Sequence, residues 1–245
     1  MAAFDLPLIQ ALAGDPALPV YAFDALDSTN TECRRRLAAG EARCLVLADA
    51  QSAGRGRRGK SFFSPAGAGL YMSLAFRPEG GPIAAVGVTT WAAVCAAEAV
   101  EALTGLRCGI KWVNDLYLDG KKVCGILAEA VGDAVVVGIG VNLTPAAVPE
   151  ELQTIVGCLG REGVRDALAG ELARRLLLYR SGDTGHMAEY RRRSVVLGRR
   201  VRFGDSAGLA AAIEDDGALA VDTAGGRVLL RAGEISLEEI EGLRK

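Results

Sequence analysis

The 245-residue sequence holds a single histidine, His186. Catalysis by a Ser–His–Asp or Cys–His arrangement would therefore rest wholly on that position. His186 lies in the polar stretch 181–187, near the end of a helical region and with no nucleophile beside it, and is expected to be solvated. The six cysteines, Cys33, Cys44, Cys95, Cys108, Cys124 and Cys158, form no Cys-x-x-Cys pair. With one histidine available, this spacing argues against a structural zinc site and for reduced thiols. A large charge imbalance is missing too. The 28 basic and 30 acidic residues leave a net charge of −2 and a pI near 5.6, which argues against broad, nonspecific nucleic-acid binding. No basic segment opens the N-terminus, so a secretory signal is not expected. The uncharged run 82–97 falls short of the roughly 20 residues that a bilayer crossing needs; Glu98 and Glu101 follow, and the run reads as a buried helix. A soluble, cytoplasmic protein with no membrane partner is expected. Tandem repeats and low-complexity segments are absent apart from an alanine-rich bias.

Half of the residues are hydrophobic, enough for a sizeable core. The length suits one large domain, or a main domain of about 190 residues with a small appendage. Strands are predicted at 19–25, 44–48 and 69–76. A helix capped by the polar run 27–30 extends to about Ala38, and a central helix spans 83–104 with Gly105 as its stop. Apolar runs at 109–118 and 121–130 flank Asp119-Gly120, a two-residue hairpin signal, and a third covers 135–142. Residues 162–180 read as an amphipathic helix. From about Ser194, short alternating segments separated by turn residues suggest a small all-β unit. The implied division is 1–193 and 194–245.

Residues 50–65 carry four cations, Arg55, Arg57, Arg58 and Lys60, among Gly54, Gly56 and Gly59. The glycines match both the GxGxxG dinucleotide pattern and the Walker A pattern. Each of those motifs requires a strand directly before the loop and a helix directly after it. Here the polar segment 49–52 intervenes, and Phe62-Phe63-Ser64-Pro65 with Gly67 and Gly69 cannot open a regular helix. A P-loop enzyme would also need an acid at a strand end, and 135–141 has none. What remains is a glycine-rich basic loop suited to wrapping an anionic small molecule.

In the hairpin, a two-residue turn sets Leu118 opposite Lys121, Tyr117 opposite Lys122 and Asp115 opposite Cys124. Asp115, Tyr117, Lys122 and Cys124 then share a face, and Asp115 and Lys122 are diagonal neighbours within side-chain reach. A slip of one residue would exchange Lys122 for Lys121. The pair has two readings: a surface ion pair, or a lysine that neutralises ligand oxygens beside an aspartate that orients an amine.

Taken in order, several segments resemble the biotin protein ligases: Asp27-Ser28-Thr29-Asn30; Ala48 and Gln51 with Gly54–Gly59; Ser64-Pro65; Lys111–Leu116; Lys122 with Gly125-Ile126-Leu127 and Glu129; and Gly138–Asn142. Leu197–Val201 and Gly233–Leu237 resemble that family's C-terminal segment. The resemblance implies an α/β (α+β) fold, with a class II synthetase-like catalytic domain of mixed sheet flanked by helices and a small C-terminal SH3-like barrel. It implies a two-step reaction, in which biotin and ATP with Mg2+ give biotinyl-5′-AMP and a lysine of a biotin carboxyl carrier protein then takes the biotinyl group. ATP and Mg2+ are co-substrate and its metal; no metal-ligating residue and no prosthetic group is expected.

By the same resemblance, Ser28, Thr29, Asn30 and Gln51 line the biotin pocket, and the loop closes over the adenylate with Gly54, Arg55, Gly56 and Arg57 around its phosphate. Lys122 lies beside the biotin carboxylate and the phosphate, Asp115 steers the carrier lysine, and Asn114 and Asn142 meet ATP. Gly125, Gly138 and Gly140 either admit a ligand close to the backbone or loosen the strands at a bulge. Two residues depart from the family: Phe62 stands where tryptophan is usual and Val113 where proline is usual. About 19 residues precede the first expected catalytic strand, too few for a winged helix, so a monofunctional enzyme without nucleic-acid binding is expected. A homodimer is left open. The rival readings are a lipoate or octanoate ligase or transferase on the same fold, and a non-catalytic biotin-binding protein.

Overall fold

The computed structural model describes residues 4–80, 84–146 and 148–237. It begins with α1 (Leu6–Ala13), which the sequence reading did not anticipate. The local signals were there: Asp5 accepts a hydrogen bond from Leu8 N at 3.0 Å, Pro7 sits in the first turn, and Gly14 closes the helix in the left-handed conformation. β1 (Val20–Leu26), α2 (Thr29–Ala38) and β2 (Cys44–Gln51) then form a β–α–β unit with the two strands parallel. β3 (Gly69–Phe76), the short β4 (Glu79–Gly80) and α3 (Ala85–Thr104) follow, and then β5 (Gly109–Lys111), β6 (Asp115–Leu118), β7 (Lys121–Val131) and β8 (Ala134–Asn142). α4 (Arg165–Leu176), the short β9 (Arg180–Ser181) and α5 (Met187–Arg193) complete the first unit.

Seven of these strands make one mixed sheet in the order β1-β2-β3-β8-β7-β6-β5, antiparallel everywhere except between β1 and β2. β3 is buried along its whole length, as an apolar run without alternation should be when both faces of a sheet are covered. α2 covers one face and inserts Thr29, Asn30 and Cys33. α3 packs on the other, next to α4. By length and composition α3 could cross a membrane, but most of it is buried inside the fold. Gly105 stops it, with φ of 73° and its N–H on Glu101 O at 2.8 Å.

Three expectations change in detail. The run 109–118 is two strands, because the chain turns at Trp112–Asn114 and β5 pairs back onto β6. The amphipathic helix is shorter than 162–180, since α4 covers only Arg165–Leu176. The C-terminal unit, built from β10 (Arg200–Phe203), β11 (Ser206–Ile213), β12 (Leu219–Thr223), β13 (Gly226–Leu230) and β14 (Ser236–Leu237), is an antiparallel sheet in the order β13-β12-β11-β10-β14. Among the described residues no pairing joins β13 to β14, so the expected barrel is not closed. Val201, Ile213 and Leu219 of this sheet, and Ile235 just before β14, belong to the same apolar cluster as α3 and the large sheet. Trp112 Nε1 also donates to Gly217 O across the junction at 2.9 Å.

His186 is not solvated. It is 7% exposed, and its Nε2 is 2.8 Å from Thr90 Oγ1 of α3. Its ring meets Trp91 edge-on at 5.5 Å. The cause is α5, a helix that the polar composition of 181–187 concealed and that docks this residue against α3. Burial holds the imidazole below its ordinary pKa. As pH falls, the unfolded chain therefore takes up this proton before the folded one. The stability that neutral His186 preserves is complete above the ordinary histidine value and is lost as pH drops through it toward the lower folded value. His186→Gln is expected to flatten the fall of Tm between about pH 7.5 and about pH 5.5; thermal unfolding of both proteins across that range checks this.

Candidate functional site

After β2 the chain forms an ordered loop. Gly54 O accepts from Phe62 N at 2.8 Å, Gly56 N donates to Lys60 O at 2.7 Å, and a tight turn at Arg57–Gly59 places Arg58 (φ 56°) and Gly59 (φ 77°) in the left-handed region. Among the described residues no α-helix follows before α3. The dinucleotide and Walker readings therefore lack their helix. A Cβ on Gly54 would lie 2.4 Å from Phe62 O, so glycine is needed for the loop stems to approach.

The loop, α2 and the sheet enclose a cavity of about 450 Å³, closed on a further side by Leu152, Ile155 and Val156 and by Glu234–Ser236 at the start of β14 in the C-terminal unit. Of the site residues expected from the sequence, every one but Gly54 lines it. Gly54 shapes the loop instead.

At one end the walls are neutral and polar. Gln51 Oε1 accepts from Thr29 N at 2.9 Å and lies 3.2 Å from Thr29 Oγ1, while Gln51 Nε2 donates to Ser64 Oγ at 2.8 Å. Ser73 Oγ stands 2.7 Å from Thr29 Oγ1 and 2.6 Å from Asn30 Oδ1. Asn30 Nδ2 donates to Glu129 Oε2 at 2.8 Å. Ser28, Thr29 and Asn30 are buried, and Ser28, although at the N-cap, makes no capping hydrogen bond. A helix cap is thus not what this hydroxyl supplies.

The other end is charged. Asp119 and Gly120 both have positive φ, as the two-residue turn requires, and the expected pairs 118/121 and 117/122 form. A bulge then sets Asp115 opposite Gly125 and Leu116 opposite Cys124. The extra residue on β7 sends Cys124 into the core, which corrects the predicted shared face. Lys122 nevertheless meets Asp115, with Nζ 2.8 Å from Oδ1 and side chains 24% and 21% exposed. The pair lies in the cavity wall and is not a freely solvated surface pair. Asp115 Oδ1 accepts no well-directed hydrogen bond. Arg57 donates to Asn114 Oδ1 at 3.2 Å, and Asn114 Nδ2 to Ile126 O at 2.9 Å. Asn142 Nδ2 donates to Gly157 O at 2.9 Å. Burial lowers the pKa of Arg57 and of the neighbouring Lys111, as expected of cations withdrawn from water with no anion in full contact. Arg55, expected near a phosphate, turns instead to Glu129 with Nη2 3.0 Å from Oε1.

The three glycines make room for protein groups. A Cβ on Gly138 would stand 2.0 Å from Asn30 Oδ1, and one on Gly140 or Gly125 would stand 2.4 Å or 2.8 Å from the Phe62 ring. Phe62 thus lies flat against the strands and meets Tyr71 edge-on. Sequence reasoning assigned no role to Ser73, Lys111, Glu129 or Glu234. Ser73 had a signal, as a lone hydroxyl in an apolar strand. Glu234, whose Oε2 is 2.7 Å from Lys60 Nζ, had none beyond its motif.

Two family models match the chain: the biotin/lipoate A/B protein ligase family over residues 22–143 and the biotin protein ligase C-terminal domain over 196–238. The bifunctional ligase/repressor BirA of Escherichia coli is 33% identical over 240 residues, covering 91% of this chain and 75% of that protein. The biotin–[acetyl-CoA-carboxylase] ligase of Mycobacterium tuberculosis is 34% identical over 230 residues, covering 85% of each. Among solved structures, the biotin protein ligase from Aquifex aeolicus in complex with biotin and ATP superimposes with a TM-score of 0.78 at 26% identity, covering 91% of this chain and 99% of that one.

Placing a methyl group under the Phe62 ring is a direct test of the glycine floor. Gly140→Ala is expected to cost about 1–3 kcal/mol of stability, and adding Phe62→Leu is expected to return most of it. Urea unfolding of the single and double variants checks both outcomes.

Proposed function

The chain belongs to the biotin/lipoate A/B protein ligase family, and we propose from its cavity how its residues make biotinyl-5′-AMP and pass the biotinyl group to a carboxylase carrier lysine. The enzyme is a biotin–[acetyl-CoA-carboxylase] ligase. The observation that carries the mechanism is the division of one cavity into a neutral polar end and a cationic end. The neutral end, with Thr29, Asn30, Gln51 and the hydroxyl of Ser28, suits biotin's uncharged ureido head, because buried amide groups need matched partners. The cationic end suits the carboxylate and the phosphates.

In the first step a biotin carboxylate oxygen attacks the α-phosphorus of ATP, and the bond to the bridging oxygen breaks to release pyrophosphate. Lys122, Arg57 and Lys111 face the charge that builds on the phosphoryl oxygens, in a site where burial strengthens their attraction. Asn114 holds the Arg57 guanidinium, and Asn114 and Asn142 border the nucleotide. In the second step the neutral carrier amine attacks the acyl carbon, the bond to the phosphate oxygen breaks and AMP leaves. Asp115, whose Oδ1 stands 2.8 Å from Lys122 Nζ, is the acceptor that orients this amine and takes its proton. The loop with Gly56 and Arg57 excludes water from the mixed anhydride, and Phe62 packs beneath it.

Mg2+ fits this reading as the metal of the nucleotide. Among the described residues no group of three His, Cys, Asp or Glu side chains could hold an ion, and Asp115 and Glu234 are each paired with a lysine. Phosphate oxygens and water would then supply its ligands, and the ion would neutralise phosphate charge. The division near residue 194 and a cytoplasmic location belong to the same proposal.

Pyrophosphate–ATP exchange with biotin, with lipoate and with no acid tests the substrate. Exchange is expected with biotin alone, and exchange driven by lipoate alone would overturn the assignment. Lys122→Ala is expected to slow adenylate formation by about 100-fold or more; a near-normal rate would remove Lys122 from the mechanism. Arg57→Gly is expected to release free biotinyl-AMP and to label exposed lysines on bystander proteins. Labelling confined to the carrier, with adenylate formation retained, would contradict the loop's protective role.

A further inference from the structure

Glu129 is the carboxylate bonded to the polar end of the cavity, and the steps above give it no part. It sits on β7 with its side chain 17% exposed. Oε2 accepts from Asn30 Nδ2 at 2.8 Å and from Arg55 Nη1 at 3.2 Å; Oε1 lies 3.0 Å from Arg55 Nη2 and 3.4 Å from the exposed Arg34.

The proton inventory of this network singles it out. Amide and hydroxyl groups can exchange donor and acceptor roles, whereas an ionised carboxylate only accepts. Glu129 therefore compels Asn30 to turn its NH2 group toward β7. The second Nδ2 proton points to Leu127 O at 3.4 Å, so both amide protons are directed away from a ligand. Asn30 Oδ1 must then accept, and Ser73 gives its single proton to it at 2.6 Å. From the far side, the fixed N–H of Thr29 makes Gln51 Oε1 an acceptor, so Gln51 Nε2 donates to Ser64 and Ser64 to Phe62 O. The chain of bonds thus begins at Arg55 on one stem of the loop and ends at Ser64 and Phe62 on the other. Two fixed groups, a carboxylate and a backbone amide, set its direction.

We propose that Glu129 is a positioning residue that couples recognition of biotin's ureido group to closure of the arginine loop. Its carboxylate orients Asn30 so that the remaining lone pair of Oδ1 receives a ureido N–H, and the same carboxylate holds Arg55 over that end of the pocket. Arg55 thereby acts on the acyl substrate's head and not on the phosphate. The inference rests on the biotin-ligase reading of the cavity.

Glu129→Gln keeps the shape, lets the Asn30 amide reverse and removes the charge that holds Arg55. In biotin-dependent pyrophosphate–ATP exchange, the KM for biotin is expected to rise about tenfold or more while kcat and the KM for ATP change little. Free biotinyl-AMP in solution should increase. Asn30 and Arg55 share no direct bond, so their coupling is the readout that a merely structural residue would not move. The effects of Asn30→Ala and Arg55→Ala on the KM for biotin are expected to be non-additive with Glu129 present and additive in the Glu129→Gln background. If Glu129→Gln does not fold, the cycle in the wild-type background still decides, because strict additivity there overturns the coupling. A biotin KM unchanged in Glu129→Gln, with wild-type exchange intact, overturns this inference alone. Absence of biotin-dependent exchange in the wild type would overturn the reading beneath it as well.

Discussion

The active cavity depends on a gap in the side-chain cover of the central sheet. Gly125 and Gly140 pair directly across β7 and β8, and Gly138 lies opposite Leu127 on the same two strands. At each position a Cβ would collide with a protein group, either Asn30 or the ring of Phe62. The missing side chains let α2 press its polar N-terminal turn onto the sheet, and they let the loop lay its aromatic residue flat on the strands. A sheet with ordinary side chains there would lift both, and the two ends of the cavity would no longer face each other. Interior packing leaves little slack for such a shift.

Charge is the second constraint. Five cations border the cavity in a protein whose net charge is −2, and most are held by partners from the chain itself. Arg55 rests on Glu129, Lys122 on Asp115, Lys60 on Glu234, and Arg57 on the amide of Asn114. Lys111 is left with burial and a phenol at 3.5 Å. Such pairing limits self-repulsion and keeps each side chain extended toward the cavity. Arg57 and Lys111, which are partly buried, lose less when an anionic ligand arrives than fully solvated cations would, because part of their desolvation has already occurred on folding.

The C-terminal sheet belongs to this arrangement. It shares an apolar cluster with the first unit, receives the Trp112 indole N–H, and places Glu234–Ser236 in the cavity wall. The Lys60–Glu234 ion pair then links the loop that covers one face of the cavity to a segment that arrives at the end of the chain.

Local pattern determined a good part of this molecule. The glycine-rich basic loop, the hairpin turn at Asp119-Gly120, the burial of α3 and the order of the β-rich block each follow from residues adjacent in sequence, where turn chemistry and periodicity act directly. Six motifs in order also made the family legible. Tertiary structure alone decided which groups converge. Asn30 and Glu129 are 99 residues apart, Arg55 and Glu129 are 74, and Lys60 and Glu234 are 174. No local rule carries information over such spans. The bulge that turned Cys124 inward and the docking of His186 against α3 were likewise hidden, because each is settled by what packs on the other side of the element. Residue types and spacing defined the chemistry on offer, and long-range packing selected which oxygen meets which nitrogen.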